Sequence, residues 1–347
     1  MTAALYAVVL AGGVGSRFWP LSTPDRPKQL LPLVTDRSML AETIARLVPL
    51  VGLDRVLILT SERLRDPVLA AFPGLAASQL LLEPRPAGTA AALTWAATQV
   101  VARGGADARM VCVHADWVIG DAGRFRETLA LAAEVAATRK SLATVGIVPS
   151  RPDPGFGYIQ PGAPLGDGSR LVARFVEKPD RERAATMVAE GYLWNSGIFA
   201  WRAQDLLDEV RALTPELADA LAAAPKGAAA FFGAVAKGVS IDIGVLGRSQ
   251  RVVVLPGDFA WDDVGTWSAL QRVRVKDAHG NAIHGRVIAR EASRNVVHAE
   301  GSTVVLYGVE DLVVVVRDGV TLVTTLERAA DLKPLVEGLP PDLRELR

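Results

Sequence analysis

"LYAVVLAGGVGSRFWPLSTPDRPKQLLPL" occupies residues 5–33. Its first six residues are an unbroken apolar run, which reads as a strand buried on both faces. Gly12, Gly13 and Gly15 follow at once, then Arg17 and Lys28, with prolines at 20, 24, 27 and 32. Two familiar phosphate loops are excluded. The dinucleotide pattern G-x-G-x-x-G fails at Phe18, and G-x-x-x-x-G-K-[ST] has no match here. What remains is a strand running into bare backbone, whose N–H groups can approach an anion closely. Arg17 offers a rigid fork of donors suited to phosphate oxygens, and Lys28 a compact charge. The prolines fix φ along the loop, so closing it on a ligand costs less entropy. A glycine turn flanked by surface cations is the plainer alternative, and it stays open at this point.

Outward from the loop, strand-like and helix-like segments alternate. "RVLILT" (55–60), "QLLLE" (79–83), "RMVCVHAD" (109–116) and "LATVGIV" (142–148) are short and apolar. Between them, "MLAETIARLVPLV" (39–51), "TAAALTWAATQVVARG" (89–104) and "RFRETLALAAEVAATRK" (124–140) read as helices. This alternation predicts an α/β fold with a Rossmann-like, doubly wound mixed sheet. From "GNAIHGRVIAREASRNVVHAEGSTVVLYGVEDLVVVVRDGVTLV" (280–323) onward, short β-type runs are separated by Gly, Asn and Asp turns, until a helical "LKPLVEGL" (332–339). That texture predicts a small C-terminal β-domain, a short left-handed β-helix of a few coils. The expected division is 1–275 for a catalytic domain and 276–347 for the β-rich domain.

Lys and Arg number 38 and so do Asp and Glu, giving zero formal charge. A nucleic-acid surface would need a clustered basic excess, so none is expected. No apolar stretch reaches the ~18 residues that span a membrane. The single cysteine, Cys112, leaves no disulfide framework, as suits a reducing, cytoplasmic setting. Long β-runs in the tail expose edges that a second copy could cover, which favours a homodimer.

"VCVHADWVI" (111–119) places Asp116 just after a strand, where open α/β sheets bind ligands. A carboxylate there suits Mg²⁺, which takes one or two carboxylates plus phosphate oxygens. An Asp capping the next turn is the equal alternative. Further along lie "EPRPAGTAAAL" (83–93), "FGYI" (156–159), "FVEKPD" (175–180), "LWNSGIF" (193–199), "VSIDIGVL" (239–246) and "FAWDDVGTW" (259–267).

Taken in order, these stretches resemble the sugar-nucleotide pyrophosphorylases, nucleotidyltransferases that join a nucleoside triphosphate to a sugar 1-phosphate. The match runs over nearly the whole chain. Trp19-Pro20-Leu21 and Pro27-Lys28-Gln29 are most similar to the branch that uses GTP and mannose 1-phosphate. The resemblance implies a GT-A-like nucleotidyltransferase fold. It implies that Leu10, Ala11, Gly12, Gly13, Gly15, Glu83, Gly88 and Thr89 hold the nucleotide, with Arg17 and Lys28 as the catalytic cations. It further implies that Gly157, Glu177, Lys178, Asn195 and, less firmly matched, Asp242 bind the sugar phosphate. A W-x-D-x-G element selects Asp263 over Asp262 as the partner of Asp116 on Mg²⁺; Asp262 is expected to be a solvated or turn residue. Two departures stand out. Trp117 follows Asp116 where the family has His, and Ala87-Gly88 replaces the Arg-Asn expected after Glu-Pro. Base selectivity therefore stays open between guanine and another base, as does the sugar. A non-catalytic homologue is the further alternative. Thr89 is expected to cap the helix that follows, and His114 to pack within its strand.

Overall fold

A computed structural model describes residues 3–13 and 16–344. In chain order its strands are β1 (Leu5–Leu10), β2 (Val56–Ser61), β3 (Leu80–Glu83), β4 (Arg109–His114) and β5 (Val118–Ile119). They continue with β6 (Leu142–Ile147), β7 (Tyr158–Pro164), β8 (Arg170–Val176), β9 (Leu193–Arg202), β10 (Val252–Gly257) and β11 (Trp261–Asp262). Among the described residues, nine of these form one sheet in the order β3-β2-β1-β4-β9-β6-β10-β8-β7. The β3-β2-β1-β4 half is parallel, whereas β9 enters antiparallel between β4 and β6. The sheet is therefore mixed, as the alternating pattern predicts.

Both faces are covered, which is why the strands carry no polar alternation. Along β1, Ala7 and Val9 join one apolar cluster while Tyr6 and Val8 join the other. The first cluster is roofed by α1 (Met39–Val51), α2 (Arg65–Ala71), α4 (Ala122–Arg139) and α5 (Arg181–Ala189). The second lies under α3 (Thr89–Gly104), α6 (Ala203–Leu213) and the short turns after α6. Local signals set the helix ends. The Ser38 hydroxyl accepts from the Ala41 N–H at the start of α1, and Asp121 accepts from the Arg124 N–H at the start of α4. The expected start of α4 falls two residues late because Asp121, the true cap, precedes Ala122.

The C-terminal sheet is β12 (Ala282–Arg290), β13 (Val296–Tyr307), β14 (Leu312–Arg317) and β15 (Val320–Thr325). The first three stack in parallel, one above another, as coils of a β-helix do. The last pairs antiparallel because Asp318 and Gly319, both at positive φ, reverse the chain in a two-residue hairpin. Two buried asparagines hold the stack. Asn281 bonds Asp277 and the Ala292 carbonyl and accepts from Asn295, which in turn accepts from the Leu312 N–H.

The proline-rich loop after β1 is no loose flap. Phe18, Trp19, Leu21, Leu31 and Leu33 are buried in a third apolar cluster. Its other members include Trp267 and Leu270 from the catalytic region and Val296, Val313 and Leu322 from the C-terminal sheet. The loop is thus the filling between the two sheets.

Candidate active site

Two clefts open beside the large sheet, the first along the carboxyl ends of β1 to β4. The first, of about 280 Å³, is lined by Leu10, Ala11, Gly12, Gly13, Gln29, Glu83, Gly88, Thr89, His114 and Asp116, among others. Seven of the eight residues expected at the nucleotide therefore line one cleft; Gly15 lies outside the described residues. The glycine backbone is anchored from below. The buried Gln29 amide donates to the Ala11 carbonyl at 2.8 Å and to the Gly13 carbonyl at 3.0 Å. Thr60 adds a hydroxyl donor to the Ala11 carbonyl at 3.2 Å. The Ala11 N–H donates to the Leu59 carbonyl at 2.8 Å; among the described residues of the loop, the N–H groups of Gly12 and Gly13 are left for an anion. The sequence singles out Lys28 but passes over its neighbour Gln29, whose only signal is a polar residue inside an otherwise apolar Leu-Leu-rich segment.

Gly88 closes the far wall. It sits at φ +84°, and a Cβ there would lie 2.5 Å from the Val239 carbonyl oxygen. Only glycine meets both demands. The expected cap is placed differently: Gly88, not Thr89, precedes the first turn of α3, and the Thr89 hydroxyl accepts from the Ile241 N–H at 2.9 Å. Thr89 therefore ties the first cleft to the segment carrying Asp242. Glu83, at the end of β3, faces the glycine loop: a Cβ on Gly12 would lie 3.7 Å from its Oε1. Burial pushes the Glu83 carboxyl up to about 7.

The second cleft, of about 490 Å³, is lined by Gly157, Tyr158, Phe175, Val176, Glu177, Asn195, Ser240, Asp242, Ile243 and Gly247. Asn195 donates to Asp242 at 2.8 Å, while its own Oδ1 is buried without a partner among the described residues. An acceptor in that condition is poised for a hydroxyl. Gly157 forms a cradle, since a Cβ there would lie 3.0 Å from Glu177 Oε2. Asp242 opens a single π-helical turn, Asp242–Leu246, a local irregularity common at functional sites. Lys178 is not in this lining. It is exposed, at φ +41°, with its ammonium 3.0 Å from Glu177.

Lys28 lies behind the wall of the first cleft, in contact with its lining residue Asp116. Its side chain is buried, and Nζ donates to Asp116 Oδ2 at 3.0 Å and to the Asp263 carbonyl at 2.5 Å. Two distant segments meet there for a topological reason. β5 and β11 pair antiparallel, Ile119 with Trp261 and Val118 with Asp262, so the residues just before β5 and just after β11 become neighbours. These include Asp116 and Asp263. Burial works against the Asp116 charge, but Lys28, His114 and hydrogen bonds outweigh it and hold the carboxyl below its usual range. For Asp263 burial wins over Lys28 and Arg17, with Asp262 and Asp153 adding repulsion, and its carboxyl is raised. Among the described residues no hydrogen-bond donor reaches the Asp263 carboxylate. Nor do three His, Cys, Asp or Glu side chains gather there as a preformed metal cage. Two anionic oxygen donors, one of them unsatisfied, fit a hard cation that takes its remaining ligands from phosphates. Arg17 is exposed and stands beside Asp263, near Gly265.

One more expectation, a solvated or turn position for Asp262, holds for the turn and changes for the exposure. Asp262 is buried rather than solvated: it accepts from the Val264 N–H and from the Arg272 guanidinium at 3.0 and 3.2 Å. That turn aims the next residue, Asp263. His114 is, as expected, a packed strand residue, the last of β4 and in register with Leu10 of β1; its ring lies 4.8 Å from that of Trp117 and also lines the first cleft. Burial pushes its imidazole pKa down, against the opposing charges of Asp116 and Asp242 and with Lys28 adding to the fall.

A parallel sheet half with a glycine loop at its carboxyl edge, and a buried lysine bonded to an aspartate of the cleft beside it, define a nucleotidyl-transferring enzyme. Residues 6–280 match the nucleotidyl transferase family model, and residues 285–339 match the MannoseP isomerase/GMP-like beta-helix domain. The chain belongs to the nucleotidyl transferase family. It is 37% identical to the mannose-1-phosphate guanylyltransferase of Escherichia coli over 98% of this chain and 75% of that one. It is likewise 37% identical to the alginate biosynthesis protein AlgA of Pseudomonas aeruginosa, over 96% of this chain and 71% of that one. A crystal structure described as mannose-1-phosphate geranyltransferase, from Thermus thermophilus, superposes with a TM-score of 0.88 at 35% identity. The superposition covers 97% of this chain and 99% of that one. The chain is thus a sugar-1-phosphate nucleotidyltransferase. Among the described residues no helix is long and apolar enough to cross a membrane.

Proposed function

We propose that the enzyme transfers GMP from GTP to mannose 1-phosphate, releasing pyrophosphate. The observation that carries this reading is the buried Lys28, whose ammonium bonds Asp116 at the wall of the first cleft and the Asp263 carbonyl. A phosphoryl centre at that point would have nucleotide on one side and sugar phosphate on the other. The names of the relatives support mannose 1-phosphate as the acceptor.

Glu83 favours guanine. Guanine offers two adjacent N–H donors, N1–H and the 2-amino group, and an ionised carboxylate accepts both. Adenine, uracil and cytosine lack that donor pair. Gly88 packs its backbone against that of Val239 and so shapes the wall of the nucleotide cleft.

In the reaction, an oxygen of the sugar phosphate bonds to the α-phosphorus while the bond to the β-phosphate oxygen breaks and pyrophosphate carries off the electron pair. The attacking phosphate has a second pKa near ~6 and is already mostly a dianion, so no general base is required. The obstacle is repulsion between anions, which Lys28, Arg17 and the glycine N–H groups offset. A Mg²⁺ ion held by Asp116 and Asp263 would draw charge from the triphosphate oxygens. Glu177, Asn195 and Asp242 orient the sugar hydroxyls. The exposed Ile288, Val305 and Tyr307 of the C-terminal sheet are the surface we assign to pairing in a homodimer.

Pyrophosphate release from GTP, ATP, UTP and dTTP, each with mannose 1-phosphate and glucose 1-phosphate, tests the assignment. GTP with mannose 1-phosphate should be fastest. Faster turnover of glucose 1-phosphate with UTP or dTTP would overturn it.

A further inference from the structure

The C-terminal sheet touches neither cleft, yet it grips the loop that carries Lys28 at three points. Arg26 forms a two-pronged ion pair with Glu300 of β13, at 3.1 and 3.2 Å. Arg317 of β14 donates to the Leu21 carbonyl at 2.6 Å. Arg274, buried ahead of β12, donates to the Leu33 carbonyl at 2.6 Å and to the Val297 carbonyl of β13 at 3.2 Å. Glu300 is itself fixed, with His298 Nε2 at 3.2 Å and Arg317 Nε at 3.7 Å.

The path from Glu300 to the cleft is short and stiff. Arg26 closes a doubly bonded turn with Thr23, each N–H donating to the other's carbonyl at 3.1 Å. Pro27 follows at φ −69°, with its ring restricting that angle. Lys28 comes next, inside a one-turn helix whose backbone bonds run from Leu30 to Pro27 and from Leu31 to Lys28. A single residue of little torsional freedom, Pro27, therefore separates Arg26, the partner of Glu300, from Lys28. We propose that Glu300 is a positioning residue for catalysis: through Arg26 it sets the place of Lys28, so turnover depends on the C-terminal sheet. This deepens the catalytic reading, because it rests on Lys28 acting at the nucleotide.

The geometry separates this role from bulk support. The ion-paired cluster of Arg294 with Glu310 and Asp311 lies on the exposed flank of the same sheet and bonds nothing in the loop. Arg294→Ala is thus the control for a merely structural effect.

The test uses the full chain, with Glu300→Gln, Glu300→Ala, Arg26→Ala, the Arg26→Ala/Glu300→Ala pair and Arg294→Ala. A misplacement of order 1 Å costs up to ~100-fold in rate. Glu300→Ala should therefore lower kcat roughly 10- to 100-fold, with KM for both substrates within about twofold. The double variant should be no slower than the worse single variant, because both remove the same contact. Glu300→Gln, which keeps the shape and one acceptor, should fall between wild type and Glu300→Ala. Hydrogen exchange of amides 22–31, measured without substrate, should quicken in the Glu300 variants and not in Arg294→Ala. If Glu300→Ala and Glu300→Gln match Arg294→Ala in both kcat and exchange, the proposal is wrong. Exchange is read without turnover, so a failure of the substrate assignment leaves this test standing.

Discussion

Glu83→Gln is the substitution whose consequences can be worked out furthest. The carboxyl ionises at about 7 in the folded chain against 4.5 as the ordinary value, because burial penalises its charge. In the unfolded chain it ionises at the lower value. Between the two, the folded state holds the proton and the unfolded state does not. Stability therefore falls as pH rises from about 4.5 to about 7, and levels off above. A gap of some 2.5 units corresponds to about 3 kcal/mol, taken as an upper figure because the group retains some solvent. Glutamine carries no charge, so the variant should lose this slope and unfold at higher urea than wild type at pH 8. It should do so while losing guanine use. Trading an accepting carboxylate for an amide leaves one guanine N–H facing another N–H, worth roughly 10- to 100-fold in kcat/KM for GTP. The nucleotide KM of wild type should rise as pH drops below about 7, and that inflection should vanish in the variant. Urea melts at pH 5 and pH 8, with initial rates over the same range, read both effects. Equal pH slopes in the two proteins would refute the reasoning.

Lys28→Ala should cut kcat by roughly 100-fold, as loss of a single charge-stabilising donor does elsewhere. Pyrophosphate release measures it, and normal turnover would remove Lys28 from the chemistry. Gly88→Ala must relieve a 2.5 Å clash with the Val239 carbonyl from a positive φ; a loss of about 2 kcal/mol or more is expected by thermal melting, with weaker nucleotide binding. Asn281→Ala leaves the buried Asn295 side chain and N–H without their acceptor. It should cost about 3 kcal/mol and loosen amides 281–316 in hydrogen exchange.

Much of this was legible in the chain alone. Short β-branched runs alternating with amphipathic ones set an α/β sheet covered on both faces, because only strands buried on both sides can dispense with polar alternation. The glycine run, Arg17, Lys28 and Asp116 announced phosphate chemistry by residue type. Resemblance, rather than any local rule, singled out Asp263, Asn195 and Glu177, whose segments are unremarkable one at a time. What sequence could not supply was distance. The β5–β11 pairing that makes Asp116 and Asp263 neighbours involves two residues on each side, too short to leave a periodic signature. Asp262 looked exposed because nothing nearby in sequence says that Arg272 and Arg151 fold back onto it. Gln29 and Glu300 act through partners that lie far away along the chain or hide in backbone carbonyls. Periodicity and residue chemistry are properties of neighbours in the chain, and they determined the layers and the reactive groups. Which carboxylate the buried cation meets, how high burial lifts Glu83, and what holds the Lys28 loop depend on groups tens to hundreds of residues apart. Only tertiary packing could decide those.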